Sequence, residues 1–231
     1  MNVARAEQPV ERVRDLPASE RVRLTEVFCS LQGESNSAGL PTVFVRLTGC
    51  PLRCVYCDTA YAFHGGTSEP VDAVAARVGD YGVTHVCVTG GEPLAQRGCQ
   101  TLLERLCDAG HRVSLETSGA LDIAPVDQRV VRVLDLKTPG SGEAARNRWA
   151  NIGELRASDQ VKFVLCDRSD YEWARQRVRA YGLDRVCEVL FSPVWETLRP
   201  RDLADWVVAD RLPVRVQLQL HKILWGDEPG R

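Results

Sequence analysis

Residues 42–59, TVFVRLTGCPLRCVYCDT, place a short apolar strand pattern directly before three closely spaced cysteines. The cysteines are Cys50, Cys54 and Cys57, in the spacing C-x3-C-x2-C. Three thiols so close in sequence can converge on one centre if the loop curls around it, and thiolates favour zinc or iron–sulfur chemistry. The segment therefore predicts a metal centre in the loop that follows a strand.

The number of ligands in this loop separates two interpretations. A structural zinc site normally uses four protein ligands, and a cubane iron–sulfur cluster normally uses four cysteines. Three thiols suit a four-iron cluster that keeps one iron free for a small molecule. The alternatives are a zinc site completed by His64 or another cysteine, or three unrelated thiols. The other cysteines occur singly and are predicted to pack as small apolar side chains; they are Cys29, Cys87, Cys99, Cys107, Cys166 and Cys187.

The rest of the chain alternates short apolar runs with amphipathic stretches, which is typical of an α/β fold. Strands separated by helices imply parallel pairing, because parallel neighbours need a long crossover. A complete eight-unit barrel takes about 250 residues, so we expect a shortened or open parallel (β/α) barrel over residues 21–231. Strands are predicted at residues 22–28, 42–48, 84–88, 112–116, 130–136, 160–165, 186–191 and 214–219.

Two helices have clear boundary signals. One is predicted to begin at Ser68, with Pro70 in its first turn. The other has Ser169 and Glu172 in capping-box spacing and a left-handed end at Gly182. Both helices would cross between parallel strands, so functional side chains are expected at the carboxyl ends of those strands.

Composition excludes several classes of protein. Of the 231 residues, 44% are apolar and 26% are charged, which is normal for a folded soluble chain. The net charge is −2, so the chain lacks the excess of positive charge that is typical of proteins binding nucleic acid or anionic membranes. A small-molecule substrate is therefore expected. Residues 1–20 lack an apolar targeting core and are interpreted as a mobile leader, which places the chain in the cytoplasm. Only Lys137, Lys162 and Lys222 are lysines, which indicates a bias toward arginine.

The motifs together resemble the radical S-adenosylmethionine (SAM) superfamily. The cysteine triplet has an aromatic residue, Tyr56, before its last member, and the turn Thr89-Gly-Gly-Glu-Pro93 follows a predicted strand. Within that superfamily, the chain from about Arg23 onward resembles the 7-carboxy-7-deazaguanine synthase family. The most specific segments are 31–34 (LQGE) and 57–59 (CDT); residues 116–119, residues 135–139 and the pair His221 and Lys222 add weaker support.

This resemblance implies a set of ligand contacts. Cys50, Cys54 and Cys57 would hold a 4Fe-4S cluster, and Thr59 would bind Mg2+. SAM would contact Tyr56, Cys57, Asp58, Gly90, Gly91, Glu92, Asp135, Leu136, Lys137, Ser192, Pro193, Val194 and Trp195. A carboxypterin substrate would contact Leu31, Gln32, Gly33, Arg46 and Thr89.

Elementary chemistry agrees with several of these roles. The two glycines let backbone approach a ligand closely, and Glu92 could accept hydrogen bonds from an ammonium group. The rigid fork of Arg46 suits a carboxylate, although a surface ion pair on the strand is the alternative. His221 is either a substrate ligand or a histidine bonded locally at a strand end.

The implied reaction is a radical SAM lyase reaction, in which 6-carboxy-5,6,7,8-tetrahydropterin becomes 7-carboxy-7-deazaguanine with loss of ammonia. The implied partners are a reductant such as flavodoxin or ferredoxin and a second copy of the chain in a homodimer. Two alternatives remain, a glycyl-radical-enzyme activating enzyme and a noncatalytic zinc-binding interaction protein. The leader and the tail from Ile223 to Arg231 depart from the family pattern, so the resemblance assigns them no role.

Overall fold

The computed structural model describes residues 16–226, 228 and 230 of the chain. Within them lie strands β1 (Arg21–Leu31), β2 (Pro41–Leu47), β3 (Thr67–Pro70), β4 (His85–Gly90), β5 (Arg112–Thr117), β6 (Val131–Asp135), β7 (Gln160–Leu165), β8 (Glu188–Pro193) and β9 (Arg215–Val216). The α-helices are α1 (Val71–Gly79), α2 (Gly98–Asp108), α3 (Arg168–Tyr181), α4 (Pro200–Asp210) and α5 (Leu220–Trp225). The leader predicted at residues 1–20 lies mostly outside the described residues.

All nine strands form one sheet in the order β3-β1-β2-β4-β5-β6-β7-β8-β9. Strand β1 pairs antiparallel with β2 and with β3. Every other neighbouring pair is parallel. The sheet is therefore open and mostly parallel, which confirms the predicted fold class.

The crossovers between parallel strands are of two kinds. Helices α1, α2, α3 and α4 connect strands as the alternating pattern predicts. The connections from β5 to β6 and from β6 to β7 contain no α-helix, only turns and short 3-10 segments. A buried ion pair supports these loops, because the Asp159 carboxylate accepts the backbone N–H and the Nε–H of Arg132, each at 3.0 Å.

Both helix starts differ from the sequence prediction. Residues 67–70 form the edge strand β3 against β1, and Pro70 is extended (φ −60°, ψ 139°), so α1 begins only at Val71. Helix α3 is capped by Asp167, whose side chain accepts the N–H of Asp170 at 2.9 Å, so Ser169 lies inside the helix. The left-handed end of α3 at Gly182 is confirmed (φ 59°, ψ 38°).

Two hydrophobic clusters make up the core. One joins β1, β2, β4 and β5 to α1 and α2; its fully buried side chains include Leu47 and Leu102. The other joins β6, β7 and β8 to α3 and α4, around Phe163, Tyr171 and Phe191. The helices of the described residues include none with the length and apolar character needed to cross a bilayer.

Candidate active site

A cavity of about 570 Å³ lies where the parallel strands end. It brings together most of the side chains that the sequence singled out. Those in its wall are Leu31, Gln32, Arg46, Cys50, Cys54, Tyr56, Cys57, Asp58, Thr59, Thr89, Gly90, Gly91, Asp135, Lys137, Val194 and Trp195. Those outside it are Gly33, Glu92, Leu136, Ser192 and Pro193.

The cysteine loop, residues 50–59, leaves the carboxyl end of β2 and places three free thiols in the cavity wall. Burial raises the pKa of Cys50 and raises that of Cys54 to about 11, although the nearby Lys137 ammonium acts in the opposite direction on both. These two thiols are therefore neutral at pH 7 without a metal, and metal binding must displace their protons.

The arrangement of donors separates a cluster from a single ion. Among residues 16–226, 228 and 230, no three His, Cys, Asp or Glu side chains are disposed to hold one metal ion. A structural zinc site normally takes four protein ligands, whereas the cysteine loop offers three thiols. A four-iron cluster spans a larger volume and uses thiolates that border one cavity. The donor set fits the cluster.

The glycine turn after β4 packs against the cysteine loop. The Gly91 N–H donates to Leu47 O at 3.0 Å, and the Glu92 N–H donates to Gly49 O at 2.8 Å. A Cβ atom at Gly90 would lie 2.1 Å from Leu47 O, and one at Gly91 would lie 2.2 Å from Gly49 O. Both glycines therefore permit close approach to protein backbone, whereas the sequence suggested close approach to a ligand.

Glu92 is fully buried beneath this turn. Its carboxylate accepts Thr117 Oγ1–H at 2.9 Å, the Ser118 N–H at 2.7 Å and the Leu94 N–H at 3.0 Å. The Ser118 hydroxyl adds a further bond. The sequence analysis suggested that this carboxylate binds an ammonium group. In the structure its oxygens accept hydrogen bonds from the protein, and Glu92 thereby stabilises the turn.

A charged cluster of Glu34, Glu116, Asp135, Lys137 and Lys162 forms another part of the wall. Lys162 Nζ lies 2.5 Å from Glu34 Oε2 and 3.8 Å from Asp135 Oδ2, and Lys137 Nζ lies 2.9 Å from Asp135 Oδ2. Burial alone would raise the pKa of Glu34, but Lys162 and Gln219 hold it at about 2. Burial would lower the pKa of Lys162, but Glu34, Asp135 and Glu116 raise it well above its ordinary value.

Glu116 lies at the carboxyl end of β5 and is the least compensated acid of the charged cluster. Its Oε2 accepts Thr89 Oγ1–H at 3.2 Å. Burial and the neighbouring Glu34 carboxylate raise its pKa, against the opposing effect of Lys162 and Arg46. Glu116 is thus suited to hold a proton or to accept a donor from a ligand, a role the sequence did not assign to it.

Arg46, on β2, reaches the cavity while paired with a carboxylate. Its Nε lies 2.7 Å from Glu26 Oε1, and its side chain is 17% exposed. Burial would lower its pKa, but Tyr61 and Glu26 raise it, so the guanidinium stays charged. It also lies 5.9 Å from the Phe28 ring centroid. The ion pair proposed as the alternative role is present, and the side chain also borders the cavity.

Two buried oxygen atoms of the cavity wall have no hydrogen-bond partner among the described residues. Tyr56 OH and Asp135 Oδ1 make no hydrogen bond within the described residues, and both side chains line the cavity. A buried polar atom without a partner is costly. A ligand with hydroxyl or ammonium groups would satisfy both atoms, and SAM has both kinds of group.

Thr59 ends the cysteine loop at the cavity wall, and its Oγ1–H donates to Asp58 Oδ1 at 2.8 Å. Oxygen donors of this kind suit Mg2+, which keeps several waters. The pair is compatible with the magnesium position that the sequence resemblance implies.

Several residues that were predicted to contact SAM or the substrate are not part of the cavity wall. A Cβ atom at Gly33 would fall 2.0 Å from His221 Nδ1, so this glycine makes room for the histidine. His221 lies on α5 and lines the cavity, so its placement at a strand end was wrong. Leu136 is buried in the second core cluster. Ser192 Oγ–H donates to Gln217 O at 2.8 Å and is buried.

The sequence missed Glu34, Glu116 and Lys162 as site residues. For Lys162 the sequence did contain a signal, namely the rarity of lysine: the chain has three lysines, and all three line the cavity. In a chain that otherwise uses arginine, a compact ammonium marks places where a guanidinium does not fit.

Comparison with known proteins agrees with this geometry. A model described as "Radical SAM superfamily" matches residues 44–136. Curated proteins named 7-carboxy-7-deazaguanine synthase are similar along nearly their whole length. The one from Koribacter versatilis is 42% identical, over 90% of this chain and 98% of its own. The one from Chlorobaculum tepidum is 44% identical, over 90% and 96%.

Solved structures share the fold at low identity. The crystal structure of QueE from Escherichia coli has a TM-score of 0.71 at 21% identity, covering 87% of this chain and 95% of that one. Streptococcus suis SuiB bound to precursor peptide SuiA has a TM-score of 0.55 at 15% identity, covering 74% and 46%. The identity to the curated relatives decides the assignment: the chain belongs to the 7-carboxy-7-deazaguanine synthase family of the radical SAM superfamily.

Proposed function

We propose that this chain is a radical SAM lyase that converts 6-carboxy-5,6,7,8-tetrahydropterin to 7-carboxy-7-deazaguanine with loss of ammonia. One observation carries the proposal: a single cavity contains both the three free thiols of the cysteine loop and a buried set of charges suited to a polar heterocycle. Curated relatives that are 37 to 44% identical carry the name of this enzyme.

Cys50, Cys54 and Cys57 would hold a 4Fe-4S cluster, which together with SAM would supply the electron and the carbon radical that the reaction needs. The chain's own groups bind and orient SAM. Tyr56 OH and Asp135 Oδ1 are buried atoms free to bond its polar groups. Val194 and Trp195 add apolar wall, and the backbone of residues 90–91 lies beside the thiols.

The substrate has a carboxylate and a heterocyclic edge with donors and acceptors. Arg46 offers a charged fork for the carboxylate. Gln32 lies in the same wall, and its side-chain amide offers a donor and an acceptor to the ring. Leu31 and Thr89 border the same space, and Glu116 and Lys162 add an acceptor and a cation. Thr59 would hold Mg2+, which would supply positive charge beside the substrate carboxylate.

The wider setting is part of the same proposal. A one-electron reductant of the flavodoxin or ferredoxin class supplies the cluster, and the enzyme acts as a homodimer in the cytoplasm. The nine free cysteines are consistent with a reducing compartment. Residues 21–231 would form one catalytic domain that follows a leader at residues 1–20.

Turnover under anaerobic conditions tests this function. Protein reconstituted with iron and sulfide, reduced and supplied with SAM and the carboxypterin should yield a product with the mass of 7-carboxy-7-deazaguanine. Modification of a glycyl peptide without pterin turnover would instead identify an activating enzyme. A colourless, zinc-loaded protein with no affinity for SAM would identify an interaction protein.

A further inference from the structure

A short segment braces the cysteine loop between its metal ligands. We name residues 138–143 the strap. Val55 N–H donates to Ser141 O at 3.1 Å, and Arg53 N–H donates to Glu143 Oε1 at 2.5 Å. Arg53 and Val55 are the residues immediately before and after Cys54. The position of the strap therefore sets the path of the backbone that presents the thiols.

The strap is in turn fixed by one buried carboxylate on α3. Asp170 is 1% exposed. It accepts Gly140 N–H at 2.8 Å from the strap and Cys166 N–H at 3.0 Å from the end of β7. The Thr138 hydroxyl of the strap lies 2.9 Å from this carboxylate and 3.0 Å from Val164 O, so its one proton is shared between the two acceptors. A Cβ atom at Gly140 would lie 2.4 Å from Asp170 Oδ2, so the approach of the strap to this carboxylate requires glycine.

Neutral groups stabilise this carboxylate. The three donors reach it from two separate loops, and no cation is paired with Asp170 among the salt bridges of the described residues. A buried carboxylate that accepts several N–H and O–H donors fixes the positions of those donors. An amide in its place has only one acceptor oxygen, and its NH2 group would face other donors.

We propose that Asp170 is a positioning residue for the iron–sulfur cluster, because it fixes the strap and the strap holds the cysteine loop at Arg53 and Val55. The inference rests on the proposed function. Groups behind metal ligands orient them, and hydrogen bonding and solvent access around cluster sulfurs tune the reduction potential. Asp170 itself lies outside the wall of the cavity.

Asp170→Asn tests the proposal against Asp167→Asn as a matched control. Both changes convert an acid to an amide at the start of α3, but in the control the new side-chain oxygen can still accept the N–H of Asp170. Hydrogen exchange in the full-length protein, before and after reconstitution, should show faster exchange of the Arg53 and Val55 amides in Asp170→Asn only. The midpoint potential and the EPR signal of the reduced cluster should shift in the same variant, with kcat lowered about 10-fold to 100-fold.

Equal exchange rates and equal potentials in the two variants would overturn the proposal. If Asp170→Asn fails to fold, Thr138→Val removes one donor with little change of volume, and it should still accelerate exchange at Arg53 and Val55. Unchanged exchange in that variant would also overturn the proposal. Exchange rates are measurable without the cluster, so failure of the wild-type protein to bind iron would count against the proposed function alone.

Discussion

The cysteine loop and the charged cluster border the same cavity but are held in different ways. The loop is a contiguous segment of ten residues. The glycine turn bonds the backbone just before it, at Leu47 and Gly49, and the strap bonds the N–H groups of Arg53 and Val55 within it. The charged cluster joins side chains from distant parts of the chain, such as Glu34 and Lys162, which are separated by 128 positions. Loss of a ligand in the loop should remove chemistry and leave folding intact, whereas loss of a charge in the cluster should affect both.

Cys54→Ser should have the largest effect on activity. The hydroxyl is a poor ligand for iron, so the iron content should fall from about four per chain and SAM cleavage should be lost. Thermal unfolding should stay close to that of the wild type, since this thiol is only partly buried. Cys107→Ser, in α2 and outside the cavity wall, is the control and should keep both iron and activity. Retained SAM cleavage in Cys54→Ser would refute the ligand assignment.

Lys162→Met should destabilise the fold most. It leaves the Glu34 carboxylate buried without its cation, and breaking such a pair on one side costs about 3–5 kcal/mol. Urea unfolding at pH 7 measures the loss. Adding Glu34→Gln to the same chain should recover part of it, because the uncompensated charge is then gone. A single variant as stable as the wild type would show that the charged cluster is not a structural unit.

Glu34→Gln should change how stability depends on pH. The folded-state pKa of Glu34 is about 2, below its ordinary value of 4.5. A lowered pKa contributes stability that is present above pH 4.5 and is lost as the pH falls toward 2. The shift corresponds to about 3 kcal/mol, so the stability gap between wild type and variant should narrow from pH 5 to pH 2.5. Glu104→Gln on the exposed face of α2 is the control, and a gap for Glu34→Gln that stays constant with pH would contradict the pairing.

Arg46→Ala should have a smaller and more selective effect. Loss of a charge-assisted hydrogen bond costs about 1.5–3 kcal/mol, which corresponds to a rise of about 10-fold to 100-fold in the KM for the carboxypterin. The KM for SAM should change little. Arg148→Ala, an exposed arginine paired with Asp122, should alter neither constant. An equal rise for both substrates in Arg46→Ala would argue for a general role in packing.

The sequence predicted the elements whose information is local. Eight of the nine strands were anticipated because their apolar residues are consecutive or alternate, and the cysteine loop because its ligands lie within eight positions. Strand β3 was missed because its residues, TSEP, are polar and pair only at the sheet edge. Because β3 was not predicted, α1 was predicted to begin at Ser68, three residues before its observed start at Val71.

The charged cluster could not be predicted because its members meet only through the register of the sheet. Lys162 on β7 pairs with Asp135 on β6, and Glu34 reaches it from the loop after β1. No spacing in the sequence encodes that meeting. Likewise, the glycines at residues 90–91 carried the right signal of close approach, but the sequence could not tell that backbone was the neighbour.

EPR spectroscopy of the reduced, reconstituted protein with SAM labelled at its amino nitrogen tests the central claim most directly. If three thiolates hold four irons and leave one iron for SAM, the labelled nitrogen should show hyperfine coupling to the cluster. A cluster signal that SAM leaves unchanged, with no coupling to the label, would mean that protein side chains fill every iron and would contradict the account.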